Sequence, residues 1–120
     1  MQFEGQTGQV VYSTTKGALV GMTLPMAHDL EHYSIRIVTI APGVFVTPMI
    51  ISMNKKVQES LTCELLFPRC IGELCKFAQM VKWILECPYI NGETIRLSGG
   101  SRVPAKIVLR QLELMILRNQ

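Results

Sequence analysis

The run IRIVTIAPG (35–43) constrains this chain's fold more than any other stretch. Five of its first six residues are β-branched, apolar and polar positions do not alternate, and a Pro-Gly pair closes it. Such a run reads as a strand over 35–40, buried on both faces, followed directly by a turn at Pro42-Gly43. A second strand pattern, ETIRL (93–97), follows the Asn91-Gly92 turn and ends in Gly99-Gly100. Between the two lies a helical pattern over 71–86, with Leu74, Phe77, Ala78, Val81, Ile84 and Leu85 at core spacing. Two strands joined by a crossover helix lie parallel in one sheet. The fold class expected is therefore α/β.

The flanking segments add to that unit. From Gly8 to Glu31 the pattern is helical, with Val11, Ala18, Leu19, Met22, Met26 and Leu30 on overlapping apolar faces. Pro25 inside it predicts a bend or one lost hydrogen bond, not a stop. Residues 44–68 read as a long excursion carrying short helices. The segment PAKIVLRQLELMILRNQ (104–120) confines Lys106, Arg110 and Glu113 to a narrow stripe and reads as an amphipathic helix. Such a helix either folds back on its own domain or meets another chain. A helix plus one βαβ unit has too little sheet to cover both faces, so neighbours must come from elsewhere.

Composition excludes several classes. With 120 residues, 48% of them apolar, the chain has material for one domain at most and a real core. Its net charge of +3 comes from scattered Lys and Arg residues, without the basic patch that nucleic acid requires. Apolar runs stop short of a membrane span. The start MQFEGQTGQ has the marks of neither a signal nor a transit peptide. Cys63, Cys70, Cys75 and Cys87 form no CxxC pair, which favours reduced thiols in an intracellular compartment over zinc or disulfides. His28 and His32 fit the H-x-x-E-H pattern on one helical face, but a third ligand is not evident, so no metal site is expected. Met22, Met26, Met49, Met53 and Met80 read as core filling. Asn54-Lys55-Lys56 reads as a solvated loop.

One short stretch carries chemistry. In VVYSTTKGALVGM (10–22), Tyr12 and Lys16 stand one helical turn apart, roughly 6 Å along the axis on the same face. A half-buried Tyr beside a snorkelling Lys would satisfy the bare spacing. Ser13, Thr14 and Thr15, however, leave room above the helix, and APGVFVTP (41–48) places a Pro-Gly turn at a strand's carboxyl end. Open α/β sheets bind ligands there.

In this order and spacing, EGQTGQVVYSTTKGALVGMTLPMAHDL, IRIVTIAPGVFVTPMI and PYINGETIRL resemble the C-terminal half of a short-chain dehydrogenase/reductase, from about Phe3 to Val103. The wording is similar to the hydroxyacyl-CoA and hydroxysteroid dehydrogenase lineage of that family. The resemblance implies the C-terminal half of a Rossmann-like, doubly wound parallel sheet, with a family part over 1–103 and a non-family tail over 104–120. It implies hydride transfer between a secondary alcohol and NAD. The Tyr matching Tyr12 is then general base or acid, and the Lys matching Lys16 clamps the nicotinamide ribose and lowers the phenol's pKa from its usual value of about 10. A cation within about 4–6 Å favours the phenolate. By the same resemblance Pro42, Gly43, Phe45 and Thr47 border the nicotinamide end, Thr47 offering its hydroxyl to the carboxamide. The excursion then covers an acyl-CoA or steroid-like alcohol or ketone, and the alternative to a solvated loop at Asn54-Lys55-Lys56 is a lid cation facing an acyl-CoA phosphate.

Other parts of the family pattern are missing from these residues. The family's Ser stands about thirteen positions before the Tyr, which falls ahead of Met1. Gly5 and Gly8 lack the G-x-G-x-x-G pattern and its preceding strand. Losing one polarising donor typically costs about 10²–10³ in rate, so weak NAD binding and no turnover are expected of a truncated chain. The helix start Arg69-Cys70-Ile71-Gly72-Glu73 also departs from the family, its Arg displaced by one and its Pro replaced. The resemblance places the lineage in mitochondria; without an import segment the alternative is the cytoplasm. Family subunits form homotetramers through the Tyr-Lys helix. A non-catalytic protein that joins full-length subunits as a homo- or hetero-oligomer is therefore the other reading.

Overall fold

The computed structural model describes residues 8–63 and 65–101. The first element, α1 (Val10–Asp29), runs for 20 residues straight through Pro25. It ends at Leu30, whose N–H donates to Met26 O at 3.0 Å. A 3₁₀ turn (Glu31–Tyr33) and Ser34, at φ 57°, reverse the chain. Strand β1 (Val38–Pro42) follows, then α2 (Pro48–Ile51), α3 (Lys55–Cys63), α4 (Leu74–Glu86) and β2 (Glu93–Leu97). The two strands pair in parallel with Val38 opposite Glu93 and Pro42 opposite Leu97. This is the α/β arrangement expected, a helix followed by a βαβ crossover.

Several boundaries differ from the sequence reading, each for a local reason. The strand occupies 38–42 and not 35–40. Residues 35–37 have no ladder partner because β2 begins only at Glu93. Ile37 is held instead by the turn, its N–H donating to Asn91 Oδ1 and its carbonyl accepting from Gly92 N, both at 2.8 Å. Helix α4 begins at Leu74 and not at 71, because Gly72 pairs with the Val44–Val46 segment across an isolated parallel bridge. Glu73 is extended at the helix start. The excursion carries two short helices as expected. Thr47 caps α2, with Pro48 preset at its first position. Asn54 Oδ1 accepts from Lys56 N at 3.1 Å, so Asn54-Lys55-Lys56 opens α3 and is not a loop.

Helix α1 crosses the strand pair near its base. Buried Thr23 meets Thr39 of β1, oxygen to oxygen, at 2.6 Å. Leu24 and Ala27 sit over Gly92, where the positive φ of 71° and the Leu24 methyl leave no space for a side chain. On the other side, Arg36 ties β1 to the end of α4. Its Nη1 donates to the carbonyls of Ile84, Cys87 and Ile90 at 2.9–3.0 Å, and Nη2 to Leu85 O at 3.3 Å.

Among the described residues, only Thr23, Ala27, Ala41, Leu65 and Ile84 are buried. The strand expected to be covered on both faces has one buried residue, Ala41, since the sheet described here has two strands. Met22 and Met49 are exposed, against the expectation that they fill a core. The amphipathic helix expected over 104–120 lies outside the described residues.

Candidate active site

The position of Tyr12 and Lys16 follows from the Thr23–Thr39 contact. Lys16 precedes Thr23 by seven residues and Tyr12 by eleven, so both lie within about 20° of its direction around the helix. The stripe that faces the sheet at Thr23 therefore continues through Lys16 to Tyr12. The helix runs antiparallel to the strands, because Ala27 is level with Gly92, before β2, and Thr23 with Thr39, inside β1. Lys16 stands about 10 Å beyond Thr23, and Pro42 about 10 Å beyond Thr39, in the same direction. The ammonium is thus level with the carboxyl end of β1, and Tyr12 one turn further out.

The pair itself is formed. Lys16 Nζ lies 5.7 Å from the centre of the Tyr12 ring. Tyr12 is 46% exposed, its ring not covered by packed aliphatics. Thr14 and Thr15 turn their hydroxyls back to the carbonyls of Val10 and Tyr12, each at 2.8 Å. This satisfies them without occupying the Tyr-Lys face. Gln9 Oε1 and Ser13 Oγ are buried without a hydrogen-bond partner. Gln9 was not singled out from sequence and Ser13 only as a small residue, although Gln9 lies three residues before Tyr12 on the same stripe. The i, i+3, i+4, i+7 spacing of Gln9, Tyr12, Ser13 and Lys16 was a signal available for them.

The loop after β1 is organised around two bare α-carbons. A side chain on Gly43 would meet Ser98 Cα at 2.8 Å, so the loop lies against the exit of β2. Gly43 N donates to Leu97 O at 2.9 Å and extends the ladder by one rung. Phe45 turns its ring onto Gly72 and meets Phe77 of α4 edge-on, centroids 5.9 Å apart. Pro42 is exposed. Thr47 Oγ1 accepts from Ile50 N at 3.5 Å, which uses a lone pair and leaves the hydroxyl proton free to be donated. An ammonium, a phenol and a hydroxyl proton are donors of the kind that a ribose and a carboxamide accept.

The structure also places the other residues that stood out in the sequence. His28 lies in the last turn of α1 and His32 in the 3₁₀ turn, so the continuous helical face that would join them is broken at Leu30. His32 Nδ1 approaches Glu31 at 3.9 Å on the surface. Among the described residues no three metal-ligating side chains cluster. All four cysteines are free thiols. Among the described residues no helix is long and apolar enough to cross a membrane. A shallow cleft of about 460 Å³ lies between α3 and Ile71, lined by Lys55, Gln58, Glu59, Thr62 and Cys63, and neither Tyr12 nor Lys16 borders it.

The short chain dehydrogenase family model matches residues 1–58. The 3-hydroxyacyl-CoA dehydrogenase type-2 of Rattus norvegicus is 48% identical over 101 residues, 84% of this chain and 39% of that protein. That of Drosophila melanogaster is also 48% identical, over 84% of this chain and 40% of its own length. Among solved structures, the 3-hydroxyacyl-CoA dehydrogenase type-2 from Mycobacterium avium superposes with a TM-score of 0.81 at 36% identity, covering 87% of this chain and 40% of that one. The chain spans about two fifths of the length of the curated relatives it matches. On these matches the chain belongs to the short-chain dehydrogenase family.

Proposed function

We propose that this chain is the acid/base-bearing part of an NAD-dependent oxidoreductase of the 3-hydroxyacyl-CoA or hydroxysteroid dehydrogenase type. The observation that carries the reading is the pairing of Tyr12 and Lys16 on one helix face, level with the end of β1. When bound, the nicotinamide supplies the hydride acceptor or donor. The chain's own residues do the rest. Tyr12 holds or takes the proton of the substrate oxygen at its phenol. Lys16 places positive charge beside the oxygen where negative charge develops, and binds ribose hydroxyls. Thr47 donates its free proton to a carboxamide oxygen, Pro42, Gly43 and Phe45 shape that end, and α2 and α3 flank an acyl-CoA or steroid-like alcohol. The lineage suggests a mitochondrial parent protein.

These 120 residues hold no Gly-rich turn after a strand and no Ser at the family's distance before Tyr12. By themselves they bind NAD weakly and do not turn over. The test is a pair of assays with NAD⁺ and a 3-hydroxyacyl-CoA. The purified chain gives no steady-state rate, whereas a chimera preceded by the N-terminal part of a type-2 relative gives one. Tyr12→Phe in that chimera lowers the rate by about 10²–10⁴. Equal rates for the chimera and its Tyr12→Phe form would refute the assignment.

The exposed apolar residues of α1 favour a second reading. Val11, Leu19 and Met22 are exposed on a helix that packs on a sheet of two described strands, which suits association with intact family subunits. Co-purification with a full-length relative, in the absence of activity in the chimera, would select it.

A further inference from the structure

The excursion between β1 and α4 leaves and rejoins the fold at one point. Val46 N donates to Gly72 O at 2.8 Å, and Gly72 N to Val44 O at 3.0 Å. This parallel bridge closes the loop that carries Thr47, α2 and α3. Gly72 sits at its base for a steric reason. A Cβ there would lie 2.8 Å from Phe45 Cε1 and 2.9 Å from Cδ1, so the ring lies across the bare α-carbon. The ring cannot retreat freely, because Phe77 meets it edge-on at 81° from α4. The return limb is held separately, with buried Leu65 beside Gly99 and exposed Leu66 beside Gly100.

We infer that Gly72 is a positioning residue for the nicotinamide-end loop: its missing side chain leaves room for the Phe45 ring, so that the backbone bridge beneath it closes and sets Thr47. The inference rests on the proposed function for the identity of the ligand, but not for the geometry. A methyl on residue 72 meets a ring confined between Gly72 and Phe77. Either the ring swings out or the two backbones separate, and both move Thr47, two residues beyond Phe45. The bridge and the Thr47 cap on Ile50 then loosen together.

The experiment uses the full 120-residue chain as parent, Gly72→Ala, and the double variant Gly72→Ala/Phe45→Ala. Gly21→Ala, where a Cβ meets nothing within 4 Å, is the control. Amide hydrogen exchange is read at Val46, residue 72 and Ile50. In Gly72→Ala these three exchange about tenfold faster or more, while the β1–β2 ladder keeps its protection. Removing the Phe45 ring in the double variant restores protection at Val46. General destabilisation would not, since losing a packed ring destabilises further. Unchanged exchange in Gly72→Ala, or no recovery in the double variant, would overturn the inference.

A titration with NAD⁺ at millimolar concentration, followed by amide shifts, provides the ligand arm. In the parent, Lys16 and Thr47 both respond. In Gly72→Ala, Lys16 still responds and Thr47 does not. A Thr47 response retained in Gly72→Ala would overturn the positioning role. Silence at Lys16 in the parent would count against the nicotinamide reading alone, since the exchange measurements decide the lock without ligand.

Discussion

Four backbone carbonyls converge on the guanidinium of Arg36, and three of them belong to the last turn of α4 or the residue after it. Helix ends leave such carbonyls unpaired, and a cation there also meets the negative end of the helix dipole. Arg36→Ala is therefore expected to lower stability by about 2 kcal/mol, since hydrogen bonds to charged groups are worth more than neutral ones. Arg36→Lys recovers only part, because an ammonium lacks the planar fork. Urea unfolding monitored at Trp83 measures both. At Thr23 the direction of the hydrogen bonds can be worked out. The Thr23 hydroxyl has one proton, given to Leu19 O at 2.8 Å, so Thr39 is the donor across the 2.6 Å contact. Thr23 is 2% exposed. Thr23→Val leaves the Thr39 proton unpaired and costs about 1–3 kcal/mol, and Thr39→Val added to it recovers part of the loss. A double-mutant cycle in urea reads the coupling. Additive losses would show that the two hydroxyls do not interact.

Helix α1 runs through two glycines and a proline, which makes it the element most open to improvement. Gly21 is exposed, and a methyl there touches nothing. Gly21→Ala is expected to raise stability by about 0.5–1 kcal/mol, whereas Gly92→Ala, at φ 71° and against the Leu24 methyl, lowers it. Thermal melts of the two variants should move in opposite directions. At this scale the sequence was legible where periodicity was strong. Both long helices, the ETIRL strand and the parallel pairing could be read from it. The start of β1 was not, because Ile35 and Ile37 are as β-branched as Val38, and only the late start of β2 decides where the ladder begins. The start of α4 was misread for a similar reason. Ile71 fits a helical period, but Gly72 is engaged with Phe45, twenty-seven residues earlier. The Tyr12–Lys16 face was legible because an i, i+4 relation is local. The roles of Gly43 and Gly72 depend on Ser98 and Phe45, which spacing along the chain does not reveal.

On the scale of the whole molecule, the described residues bury few side chains and leave many apolar ones facing water. Leu19 and Met22 are exposed on α1, Met49 and Ile51 on α2, and Leu66 and Phe67 on the return limb. Apolar surface of this kind drives association. Sedimentation of the purified chain is expected to show mass that rises with concentration. Leu19→Lys/Met22→Lys, which charges one patch of α1, should shift the distribution toward monomer. An unchanged distribution would place the contact on another face. One rung of the sheet bears on what such a contact can look like. Backbone groups alternate along β1, and Ile37 and Gly43 use theirs on the β2 side. Val38 and Ile40 therefore present theirs to the opposite edge, and so would residue 42, were it not a proline. Any polypeptide laid along that rim finds two rungs and then, at Pro42, a missing donor. One imino acid thus limits how far that edge can be extended by pairing.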